Sequence, residues 1–139
     1  SRVIKMSREI KFRVWDGNRI SYADSSHGRV LCDNGGHSYL PFYTEKNIPH
    51  LTRVEIQQFT GLKDKNGREI YEGDIIKQFH SYIDIEAREW IGVVQYSIVQ
   101  QGQSYYPTYS LFVNEYTSFN LRLDSEVIGN IFENPELLK

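Results

Sequence analysis

Glu69, Glu72 and Asp74 place three carboxylates within six residues, a density at which acidic side chains can hold a magnesium ion for phosphodiester chemistry. The same density also arises wherever a polar turn is solvated, and the surrounding residues favour that simpler origin. Asp64-Lys65-Asn66-Gly67-Arg68-Glu69 superficially resembles a calcium loop, but its fifth position is Arg68 and its glycine stands fourth instead of sixth, so the twelve-residue cage cannot form. Cys32 and His37 flank the turn 33–36 and would face each other across a tight hairpin. A structural zinc needs four ligands, and His27, His50 and His80 stand at no fixed spacing from that pair. The pair equally lacks the orienting third group that a cysteine nucleophile requires. The sequence contains no phosphate-cradling Gly-Lys-Ser/Thr loop, metalloprotease pair or nucleophile elbow. The reading is therefore of a protein without catalytic residues, metal or cofactor, and a metal-dependent phosphodiester hydrolase built on the three carboxylates is the least favoured function.

A second group could bind instead of react. Lys11, Arg13 and Trp15 alternate along one strand, with Arg19 just beyond, and a basic strand carrying an aromatic can track phosphates and stack a base or meet another protein. An isoelectric point near 6.1 falls well short of the basic balance of nucleic-acid-binding domains. These four residues are thus a candidate partner-binding surface, with a protein partner favoured over nucleic acid. Residues 1–68 carry 12 Lys and Arg against 7 Asp and Glu, whereas residues 69–139 carry 4 against 11. A molecule with such poles could associate with copies of itself, so a homo-oligomer is expected. One cysteine and no apolar run long enough to span a bilayer point to the cytoplasm and away from membranes.

The elements that position these residues are strands. Ile10, Phe12 and Val14 should face a core while Lys11, Arg13 and Trp15 face out, the two-residue period of a half-buried strand. Asp16-Gly17-Asn18 turns the chain into Arg19–Tyr22, and Asp33-Asn34-Gly35-Gly36 joins Arg29–Cys32 to His37–Leu40. Residues 41–51 should be irregular, because Pro41 and Pro49 interrupt a ladder. A strand near Arg53–Phe59 leads into turns at Asn66-Gly67 and Glu72-Gly73-Asp74, the second opening onto Ile75-Ile76. Residues 84–90 read as a loop or an edge strand. Ile91–Tyr96 and Tyr109–Val113 should pair as a long hairpin through Gln101-Gly102-Gln103, Glu126–Phe132 is a last strand, and Asn134 should cap a one-turn helix begun by Pro135. Met6 reads as a start, with residues 1–7 an N-terminal extension and residues 8–139 a single domain. The fold class is mostly β, an antiparallel barrel-like domain built from hairpins, with an SH3-like strand entry at Glu72–Ile76 and a short C-terminal helical turn.

Three blocks give this reading a family. Arg8–Asp16, Phe59–Asp64 running on to Tyr71–Ile75, and Val127–Leu138 resemble, in that order, the YopX family of bacteriophage and prophage proteins. The resemblance implies a small, mostly β accessory protein encoded on mobile elements of bacteria, and it carries over no catalytic residue.

Overall fold

Asp64 shows why the central motif folds as it does. Its Oδ1 accepts the backbone N–H groups of Asn66 and Arg68, each at 2.9 Å, so the side chain closes the turn before any distant contact is made. Gly67 takes φ +79° with open space around its Cα, so it is the backbone angle and not crowding that calls for glycine there. The other carboxylate oxygen accepts the N–H of Val127 at 2.9 Å, and Lys65 N–H donates to the Ser125 carbonyl at 2.9 Å. The turn is thereby strapped to a strand sixty residues downstream.

The computed structural model describes residues 9–22, 31–32, 34–43, 46, 49–82 and 85–139. Among them the chain forms strands β1 (Phe12–Trp15), β2 (Ile20–Tyr22), β3 (Leu31–Cys32), β4 (Ser38–Tyr43), β5 (Pro49–Lys63) and β6 (Glu69–Tyr71). It continues as β7 (Asp74–Tyr82), β8 (Ile85–Gln101), β9 (Ser104–Phe112), β10 (Ser118–Asn120) and β11 (Glu126–Asn130), and a 3-10 turn at Pro135–Leu138 is the one helical element. The first sheet runs β2-β1-β5-β4-β3 with β6 also on β5, and the second runs β10-β9-β8-β7-β11. All pairings are antiparallel, as the sequence indicates. Each sheet is an open path among the described residues and does not close into a barrel. The core lies on the second sheet, where Ile76, Val94, Leu111 and Val127 enclose Ile70 from β6.

Several elements differ from expectation for local reasons. The β4–β5 ladder passes through both prolines, pairing Pro41 with Leu51 and Tyr43 with Pro49. Proline is tolerated where its missing N–H is not owed to the neighbouring strand or where a strand begins, and Pro49 begins β5. The ambiguous run after residue 84 is strand, because Ile85–Val93 pairs along the whole of β7. Asn134 stands before Pro135, yet its side chain makes no capping bond and accepts the Asn130 N–H at 3.2 Å instead. The long β8–β9 hairpin forms with the expected tip, Gln101 pairing with Ser104. The proposed extension at residues 1–7 lies outside the described residues.

Burial pushes the Asp64 carboxyl up, but the N–H donors of Val127, Arg68 and Asn66 outweigh it and hold the group below the ordinary aspartate range. A depressed carboxylate stabilises the fold above its unfolded pKa and loses that contribution as pH falls through the folded one. Asp64→Asn is therefore expected to lower stability at neutral pH by about 1–3 kcal/mol, with the gap closing below about pH 4. Denaturant titrations of both proteins across that range check it. Gly67→Val should cost about 1–3 kcal/mol through its positive φ. Lys65→Ala, which removes only a half-exposed pair with Glu126 at 3.3 Å, should cost less than about 1 kcal/mol. Melting temperatures of the two variants check that contrast.

Candidate functional site

Arg13 is not on the surface. Its guanidinium Nη2 lies 2.7 Å from Asp74 Oδ1, and the two side chains are 3% and 2% exposed. Its Nε donates to Gln57 Oε1, its Nη2 also donates to the Glu72 carbonyl at 3.2 Å, and the guanidinium sits 4.8 Å from the centroid of the Tyr71 ring. Asp74 accepts the Tyr71 N–H at 2.8 Å on its second oxygen. Gly73 holds φ +82°, and a Cβ there would stand 3.3 Å from Gln57 Nε2, so the turn leaves room for the amide. Burial pushes the Asp74 carboxyl up, opposed by the Arg13 charge and the Tyr71 N–H. This cluster joins β1 of the first sheet to β7 of the second.

The first strand keeps Val14 buried as expected, but the residues on either side of it depart from the expected alternation. Ile10 and Phe12 are exposed, whereas Lys11, Arg13 and Trp15 turn toward the second half of the chain. Lys11 bonds Glu69 at 2.9 Å and Glu9 at 3.1 Å and stands 5.4 Å from the Phe59 ring centroid, and Trp15 stacks on Phe132 at 5.6 Å. Only Arg19 is out in solvent, 3.9 Å from Asp16. The four candidate surface residues thus form no continuous face. A polar stem that packs on aromatics and meets a buried carboxylate can occupy a core position, which two-letter patterning does not foresee.

The three carboxylates part company in the same way. Glu69 goes to Lys11, Asp74 to Arg13, and Glu72 accepts the Gln58 N–H at 3.3 Å and the Tyr109 hydroxyl at 3.5 Å. Burial is the main reason that Glu72 sits above the ordinary glutamate range. Among the described residues no group of three His, Cys, Asp or Glu is placed to hold a metal ion. Cys32 pairs with Ser38 and not with His37, so the expected cross-strand pair is out of register. His50 is exposed on β5, His80 is buried against Phe119 with ring centroids 4.0 Å apart, and His27 lies outside the described residues.

The β8–β9 hairpin forms where the sequence places it, but its exposed surface is not marked by any residue type that could do chemistry. Beyond the pairing of Val93 with Ile75, β8 has only β9 beside it among the described residues, and the ribbon runs on from Tyr96–Tyr109 to Gln101–Ser104. One face of this arm carries Tyr96, Ile98 and Tyr105, which are 56%, 70% and 67% exposed, together with exposed Pro107. At its root, Glu72, Gln57, Gly73, Tyr96 and Phe132 border a cleft of about 340 Å³ between the sheets. From Trp90 to Asn114 the chain has no charged residue and no histidine, a signal that a charge count by halves averages away.

The buried polar junction and the uncharged arm define a small, two-sheet antiparallel β protein in which Lys11, Arg13, Glu69 and Asp74 are engaged in ion pairs. The YopX protein family model matches residues 11–139, and the chain belongs to that family. The chain is similar to the crystal structure of protein EF1440 from Enterococcus faecalis, at 25% identity over 96% of this chain and 100% of that one, with a TM-score of 0.50. It shares its fold with protein yopX from Bacillus subtilis, at 20% identity over 93% of this chain and 95% of that one, with a TM-score of 0.56. Among curated proteins none matches. No helix among the described residues is long and apolar enough to cross a membrane.

Removing one member of a buried ion pair leaves the other charge stranded, which costs about 3–5 kcal/mol. Arg13→Met is expected to lose that much, whereas Arg13→Met combined with Asp74→Asn, which removes both charges and keeps an acceptor for the Tyr71 N–H, should be more stable than the single variant. Equilibrium unfolding of the two proteins measures the difference.

Proposed function

We propose that this chain is a non-enzymatic accessory protein of phage or prophage origin that acts in the bacterial cytoplasm by gripping another protein. Its β body, with the SH3-like strand entry at Glu72–Ile76, serves as the base, and the β8–β9 hairpin is the gripping element. The observation that carries this reading is the arm itself: a two-stranded ribbon, charge-free along its length, with Tyr96, Ile98 and Tyr105 more than half exposed. Tyrosines on a rigid strand present large contact area at low entropic cost, which suits them to protein interfaces. The absence of charge along the arm disfavours a phosphate backbone as its target. The absence of catalysis is supported by the way Glu69, Glu72 and Asp74 are drawn to separate partners, and the nucleic-acid alternative is weakened because Arg13 is buried and Lys11 is paired.

Capture from lysates of the bacterial host tests this. Tagged wild-type protein should retain a host or phage protein equally with and without nuclease, and Tyr105→Glu should retain about tenfold less, the loss of one interface anchor. Retention that disappears with nuclease, or that survives Tyr105→Glu unchanged, overturns the proposal.

A further inference from the structure

The backbone of the arm distinguishes its two edges. Gly73 N–H donates to the Val94 carbonyl at 2.8 Å, so that carbonyl points away from β9 and toward the side on which β7 lies. Backbone groups alternate sides along a strand, and the N–H and C=O groups of Tyr96, Ile98 and Gln100 therefore point to that same side. No strand lies there among the described residues, since β7 begins at Asp74 and its pairing with β8 ends at Val93. The outer edge of β9 is different. Pro107 stands opposite Ile98, at a position where neither residue bonds across the ribbon, so the outward group that β9 lacks is the proline N–H. One edge of the arm is blunted and the other is open.

From this edge we infer that the arm pairs with the arm of a second copy of this chain, β8 against β8, antiparallel about a two-fold axis at Ile98. The inference rests on the reading of the arm as a protein-binding element and names its partner. In this register Ile98 faces its own counterpart, and Tyr96 faces Gln100 of the partner subunit, so every outward backbone group on the three residues finds a mate. A two-fold axis brings each nearby residue close to its own copy, so any charge there would meet a like charge. The run from Trp90 to Asn114 contains none, which is the charge pattern that self-pairing requires. Natural edge strands exposed to solvent are usually protected by lysine or another charge, and this one is not. The pairing would also join the exposed Tyr96, Ile98, Tyr105 and Pro107 of both copies into one apolar face.

Sedimentation of the purified chain tests this directly. Wild type should sediment near twice its 16.3 kDa mass, at 1 M salt as at 0.1 M, because a strand-edge apolar contact does not depend on unscreened charge. Ile98 is 70% exposed in the single chain, so charge can be placed there without touching the core. Ile98→Glu alone and Ile98→Lys alone should each sediment as monomers, whereas an equimolar mixture of the two should recover the dimer. A wild-type monomer, a dimer that dissociates as salt rises, or single variants that remain dimeric would each overturn the two-fold pairing. So would a mixture that stays monomeric. A wild-type monomer that still captures a nuclease-resistant partner would overturn the pairing and leave the binding-module reading standing, and a dimer that captures no further protein would support the second copy as the arm's partner.

Discussion

Arg13 and Asp74 hold the two sheets together, and much of the conspicuous sequence around residues 71–74 exists to make that contact tolerable. A buried ion pair recovers its desolvation cost only if further hydrogen bonds complete the shell of both charges. Each residue of Tyr71-Glu72-Gly73-Asp74 contributes one piece. Tyr71 offers its ring to the guanidinium and its N–H to the carboxylate, Glu72 offers its carbonyl, and Asp74 is the counter-charge. Gly73 leaves space for the Gln57 amide while its N–H and carbonyl reach Val94 and Ile131. Gln57 shows what the arrangement costs. Its Oε1 is committed to Arg13, which fixes the amide orientation and leaves Nε2 buried without a partner.

The same division of labour explains the surface. Charged residues of the motif are drawn inward or into pairs, at Arg13, Asp74, Lys11 and Glu69, whereas the protruding ribbon has none. Ordinary folding physics would place apolar residues within and charges without. The inversion is local, and both halves of it follow from backbone placement: β1 lies within the first sheet with Asp74 of the second sheet waiting for Arg13, and among the described residues β8 outruns the strand that would otherwise cover its edge.

The strands themselves were largely legible, because turn chemistry is local. Asn66-Gly67, Glu72-Gly73 and Gln101-Gly102-Gln103 each turn the chain where their backbone preferences indicate. What could not be read was which residues of a strand turn inward. The alternation of Ile10 to Trp15 is plain in sequence, but the departure from it depends on Asp74, some sixty residues away, and on the aromatics Tyr71 and Phe132. The ladder through Pro41 and Pro49 was hidden for a related reason, since a proline is harmful or harmless according to which side its nitrogen faces. The arm was visible as a hairpin, yet its reach beyond the sheet depends on where β7 starts.

Asp64 has a consequence for biosynthesis. Its carboxylate is completed by the N–H of Val127, 63 positions later, and β11 supplies the outer neighbour of β7 while Ile131 bonds the carbonyl of Gly73. The turn at residues 64–68 can form as soon as it leaves the ribosome, but both motif turns keep unmet backbone groups until residues 125–131 arrive. The body of the molecule therefore closes only once residues 125–131 have emerged, after the uncharged arm. An open, charge-free edge waiting on an unfinished sheet is an aggregation hazard. The interval between the arm and β11, fewer than thirty residues, sets how long that hazard lasts on the translating ribosome.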